Sequence, residues 1–139
     1  MKKVIITVSA IVVSMNMATA QHLKEAKVPT LVKEGLHKQF PTAKVTGWEQ
    51  EGANYEAEFV MNKVETSALL DATGKLIETE SEIATTELPK AVTDYLAKNH
   101  KGEKVKEAAK IVEAGGKIKY EAEIKGKDLL FDESGTLIK

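Results

Sequence analysis

The sequence predicts an α+β protein: a tandem repeat of one helix plus a four-stranded antiparallel meander, with both helices packed on one face of a shared sheet. Two observations carry that prediction. Blocks of residues recur in the same order along the chain. Val28-Pro29, Val32 and Leu36 return as Leu88-Pro89, Val92 and Leu96 at an offset of 60, and Tyr55-Glu56-Ala57-Glu58-Phe59 returns as Tyr120-Glu121-Ala122-Glu123-Ile124 at 65. Asp71-Ala72-Thr73-Gly74-Lys75-Leu76 returns as Asp132-Glu133-Ser134-Gly135-Thr136-Leu137 at 61. A period of this size marks a repeated supersecondary unit. The hydrophobic pattern also switches within each copy, from a spacing of four to a spacing of two.

The helical part comes first. Val28, Val32, Leu36 and Phe40 line one side of a helix, widened by Leu31, and Leu88, Val92 and Leu96 do the same beside Ala91 and Tyr95. Pro29 and Pro89 occupy a first turn, where a missing N–H is tolerated. Phe40-Pro41 and His100-Lys101-Gly102 end the helices. Gly35 lowers helix propensity and permits close packing. Four short strands then follow in copy one, over 44–50, 54–61, 64–70 and 75–83, separated by Glu51-Gly52-Ala53, Asn62-Lys63 and the Asp71 turn. Copy two carries turns at Ala114-Gly115-Gly116, Lys125-Gly126-Lys127 and the Asp132 turn. Turns this short force antiparallel neighbours. The domain plan is therefore a leader at 1–20, a tail at 21–27, repeat 1 at 28–84 and repeat 2 at 85–139.

The leader reads as a secretory signal peptide. Lys2 and Lys3 precede an apolar run over residues 4–13, and Ala18-Thr19-Ala20 offers a small-residue cleavage site before Gln21. The run is short for a membrane span, so no stable anchor is expected after cleavage. The expected location is the periplasm or the exterior. Removing residues 1–20 from 139 leaves roughly 119, enough for a modest core. Loss of Lys2 and Lys3 leaves 18 of the 20 basic residues against 21 acidic ones. All are lysines, and the absence of arginine argues against nucleic acid. No cysteine is present, so the core alone must hold the fold.

On these motifs the chain resembles the PepSY-like, β-lactamase-inhibitor-like proteins of bacterial envelopes, from about Val28 to Lys139. The resemblance implies a tandem α/β repeat whose sheet presents one face to a partner. The related inhibitors grip an enzyme with that face and with hairpin loops. They have cysteines, whereas this chain has none, and no inhibitory loop is matched here. The family offers no catalytic residue to carry over.

Residues with chemical potential are few. Alternation places Glu56 and Glu58, and likewise Glu121 and Glu123, opposite the apolar strand face, so all four are expected to face water. They would form either an acidic binding patch with weak Ca²⁺ affinity or an ordinary solvated face laced by Lys119 and Lys125. Glu78, Glu80 and Glu82 read as a charged edge that blocks strand pairing. His22, His37 and His100 do not cluster, and no calcium-loop spacing appears, so neither a metal nor a cofactor is expected. Four glutamates in near-identical positions do not suit acid/base chemistry, which needs unlike environments. Trp48 has Ala108 as its counterpart and breaks the symmetry; it is either a partner anchor or a core residue. The chain is accordingly expected to be a non-enzymatic binding or inhibitor-like module. Its contacts would be Trp48, Glu56, Glu58, Glu121 and Glu123, and its partner an envelope protein. The rival reading is a small-ligand or cation-binding envelope protein.

Overall fold

The computed structural model describes residues 21–138. The expected signal peptide, with its expected cleavage site, lies outside the described residues. The chain begins with β1 (Gln21–His22), a 3-10 turn (Glu25–Lys27) and α1 (Thr30–Gln39). The strands β2 (Lys44–Glu51), β3 (Asn54–Met61), β4 (Val64–Leu70) and β5 (Leu76–Ile83) follow. A second 3-10 turn (Thr85–Glu87) leads to α2 (Lys90–Asn99), then β6 (Val105–Glu113), β7 (Ile118–Ile124) and β8 (Lys127–Asp132). One eight-stranded sheet results, ordered β1 to β8 as in the sequence, and every pairing is antiparallel.

The predicted sheet is present, but its strands are drawn differently from the chain. The tail supplies β1, which pairs with β2 through Gln21↔Gln50 and His22↔Glu49. Among the described residues, the chain after the Asp132 turn makes one isolated bridge, Leu137 to Phe131, so copy two has three strands and a bridge. The helices also start later than the spacing suggests. Val28 is extended (φ −73°, ψ 129°) and Pro29 caps α1, because a residue before proline is pushed out of the helical region.

The repeat extends to fine detail. Register slips between Val45 and Gly47 in β2 and between Val105 and Glu107 in β6, so Thr46 and Lys106 are matching bulges. The Asp71 carboxylate accepts hydrogen bonds from the Thr73 N–H (2.8 Å), the Thr73 hydroxyl (2.6 Å) and the Lys75 N–H (3.1 Å). Asp132 does the same for the Ser134 N–H (2.9 Å), the Ser134 hydroxyl (2.6 Å) and the Thr136 N–H (2.9 Å). These contacts lower the pKa of both aspartates.

Two apolar clusters lie under the helices. Val32 and Leu36 pack with Trp48, Ala57, Phe59, Ala68 and Leu70. Val92 and Leu96 pack with Ala108, Ala122, Ile124 and Phe131. The register places these strand residues on one sheet face, so both helices cover the same side.

Candidate functional site: the acidic sheet face

Side chains alternate along each strand, so the residues between the core positions point away from the helices. In-register neighbours share a face, which allows that opposite face to be read across the sheet. One row runs Glu49, Glu56, Leu69, Glu78 and Glu113. The next runs Gly47, Glu58, Ser67, Glu80, Ile111, Lys119 and Asp132. A third runs Val60, Glu65, Glu82, Ala109, Glu121 and Leu130, and Glu51, Glu107, Glu123 and Asp128 complete the face. Every strand from β2 to β8 thus contributes carboxylates to one surface. The basic residues at registered positions there are His22, Lys44 and Lys119, and Lys119 is paired with Glu113.

The face is less open than alternation alone suggests. Glu56 is 5% exposed and Glu121 8%, so two of the four glutamates expected to meet water are buried. Ile111 and Leu130, on the same face, are 1% exposed each. A period-two pattern does not encode such burial. Glu58 and Glu123 remain half-buried, and the Lys106 ammonium lies 3.4 Å from Glu123. Lys125 pairs with Glu103 at 2.8 Å and does not lace the glutamate face.

Burial dominates the electrostatics. Desolvation pushes the Glu56 carboxyl up to about 8, in spite of a hydrogen bond from Ser67, and the nearby charges of Glu51 and Glu80 add to the rise. Glu80 is pushed up to about 7, again by burial first and then by Glu78, Asp128 and Glu51. Glu51, Glu58 and Glu78 are raised for the same leading reason. Like charges on the same strand and on other strands of this face add to the rise.

The structure corrects two further sequence expectations. The Glu78–Glu80–Glu82 strand is not an edge. β5 lies between β4 and β6, with Glu78 opposite Glu113, Glu80 opposite Ile111 and Glu82 opposite Ala109. The continuous sheet places the junction between repeats, at β5 and β6, inside the sheet. Trp48 is 4% exposed and belongs to the core under α1, so its indole is out of a partner's reach. Its Ala108 counterpart occupies the matching place under α2. Glu56 falls together with Glu49 and Glu51, and Glu58 follows on the same face, whereas Glu121 and Glu123 lie on β7, four strands away in the other repeat. Sequence reasoning missed Glu49 and Glu51. Their signal was the alternation Trp48-Glu49-Gln50-Glu51, which mirrors that of Tyr55–Phe59 across a short turn. Among the histidines, His22 approaches Glu49 at 3.7 Å and His100 approaches Glu103 at 3.1 Å, in different parts of the fold.

A family model for PepSY-like proteins, provisionally described as β-lactamase-inhibitor-like, matches residues 15–78 and again 55–139. Among solved structures, a Bacteroides eggerthii protein assigned provisionally to the periplasm is 23% identical, with TM-score 0.72, over 81% of this chain and 86% of that one. A DUF2874 family protein from Bacteroides uniformis is 23% identical, with TM-score 0.71, over 80% and 86%. A BLIP-like protein from Bacteroides fragilis is 26% identical, with TM-score 0.61, over 80% and 84%. None of the curated proteins matches the chain significantly. No helix among the described residues is long and apolar enough to cross a membrane.

Proposed function

The chain belongs to the PepSY-like family, and from that premise we propose that it is an exported, non-catalytic binding module of the cell envelope whose acidic sheet face receives a basic protein partner. The observation that carries this reading is the concentration of carboxylates from β2 to β8 on the side of the sheet that the helices leave uncovered. A single-sign surface raises the encounter rate with oppositely charged partners and rejects like-charged ones. The half-buried or exposed members Glu58, Glu82 and Glu123 supply the accessible charge. A non-catalytic role rests on the family match, whose description is inhibitor-like. The periplasmic location rests on the leader and on the provisional description of the B. eggerthii relative.

Immobilised mature protein incubated with envelope extract tests the proposal. It should retain a basic protein saturably at low ionic strength and release it as salt is raised past the screening range. A variant carrying Glu58→Lys, Glu82→Lys and Glu123→Lys should retain none. Equal retention by that variant, or the absence of any saturable protein, would refute the reading.

A further inference from the structure

We propose that Glu49, Glu51 and Glu56 form a binding site for a hard divalent cation of the calcium type, built across the β2–β3 hairpin. Glu49 and Glu56 are directly opposed in register, and Glu51 lies one side-chain repeat further along the same face. One carboxylate oxygen from each falls within 4.8 Å of the other two. Calcium holds its oxygens at about 2.3–2.6 Å, so donors across the ion stand up to about 5 Å apart. Magnesium demands near-ideal octahedral geometry and gives up its waters reluctantly, so a cluster of protein carboxylates suits it less. The donors are all carboxylate oxygens, with Asn54 registered opposite Glu51 as a nearby neutral oxygen, and such a set favours hard cations over thiophilic ones.

The burial of these oxygens points to an occupant. Glu51 and Glu56 are 8% and 5% exposed. Glu51 Oε1 and Glu56 Oε2 are both buried and receive no hydrogen bond from any donor group. Ser67 donates to Glu56, and among the described residues the only other hydrogen bond of the pair is the one the two carboxyls share, Glu56 donating to Glu51, beside the further negative charge of Glu49 and Glu80. Buried carboxylate oxygens ordinarily have a donor or a cation. His22 reaches Glu49 from the edge strand, but its side chain is 80% exposed and leaves the two buried oxygens unserved.

The second repeat supplies an internal comparison. The residues at the matching offset of 60 are Ala109 and Ile111, and Ala109 opposes Glu121 as Glu49 opposes Glu56. Ala109 and Ile111 are both buried. The fold therefore accommodates apolar side chains at these two positions, and copy one holds carboxylates there without needing them for packing. Carboxylates gathered in one copy where the other is apolar fit a ligand site better than a scaffold requirement.

The test grafts copy two onto copy one: mature wild type and a Glu49→Ala/Glu51→Ile variant, both stripped with chelator, are titrated calorimetrically with CaCl₂, MgCl₂ and ZnCl₂ separately and melted with and without each ion. Wild type should bind one Ca²⁺ saturably, at least about tenfold more tightly than Mg²⁺ or Zn²⁺. Its melting temperature should rise with Ca²⁺. The graft should lose that binding and the rise, while melting in chelator no lower than wild type. A second variant, Glu56→Gln, should weaken Ca²⁺ about tenfold or more and guards against misfolding of the graft. No saturable Ca²⁺ binding by wild type, tighter binding of Mg²⁺ or Zn²⁺, or undiminished Ca²⁺ binding by a folded graft would each overturn the site. None of these results depends on a protein partner, so the outcome is separable from that of the capture experiment.

Discussion

Gly35 in α1 packs against the backbone of Gly74 in the β4–β5 turn so closely that a Cβ at residue 35 would overlap the Gly74 carbonyl. Gly74 is itself at φ +83°, and a side chain there would strike the Leu31 carbonyl. The turn formed by Asp71 is thereby pressed onto the helix. In a solvated helix, glycine to alanine stabilises by about 1 kcal/mol. Here Gly35→Ala should instead destabilise by about 1–3 kcal/mol, because rigid backbone cannot yield. Urea denaturation should show a lower midpoint at unchanged slope; a higher midpoint would contradict the contact.

Trp48 should behave as a core residue. Trp48→Ala is expected to cost about 3–5 kcal/mol. Trp48→Phe should cost much less, since the indole N–H is buried without a hydrogen-bond partner and its removal leaves nothing orphaned. The native emission should be blue-shifted and move to the red only on unfolding. A native spectrum like that of the unfolded chain would overturn the placement.

Stability should fall as pH rises. Glu80 has its folded pKa raised from 4.5 to about 7, so between those values the unfolded chain has lost a proton that the folded chain keeps. That proton favours the folded state fully below about 4.5, and the benefit is gone once pH passes about 7. Melting in chelator should therefore give a higher Tm at pH 5 than at pH 8. Glu80→Gln should flatten that dependence and raise the Tm at pH 8. A Tm that climbs from pH 5 to pH 8 would refute it.

The two aspartate turns should fail alike. Asp71→Ala and Asp132→Ala each remove an acceptor of three hydrogen bonds, and each should lower the Tm at neutral pH. Asparagine at either position keeps an acceptor oxygen and should restore most of the loss. Thermal melts of the four variants check this directly, and an unchanged Tm in both alanine variants would count against the turns.

The repeat, the helices, the turns and the strand faces could all be read from residue types, because each follows from local spacing or backbone chemistry. Asp71 and Asp132 announced their turns, and Gly35 its close packing. The contribution of Gln21 and His22 could not be read, because a two-residue edge strand has no periodicity. Burial on the glutamate face was likewise hidden: Glu56 and Glu58 are identical in pattern, and only the three-dimensional crowding of Glu49, Glu51 and Ser67 separates them. The edge reading of Glu78, Glu80 and Glu82 failed because strand order across the two repeats is a tertiary fact. The short link at Thr85–Glu87 gave proximity but not the pairing of β5 with β6.

That pairing has a mechanical meaning. Six consecutive in-register pairs, from Glu78↔Glu113 to Ile83↔Ala108, stitch the two repeats through their backbones. The peptide link over residues 84–87 is not what joins the halves. A protease nick there would leave them clasped, and the two fragments made separately have the matching strands to find each other again. The protein is duplicated in sequence, but this pairing predicts that it melts as one body, in a single cooperative transition.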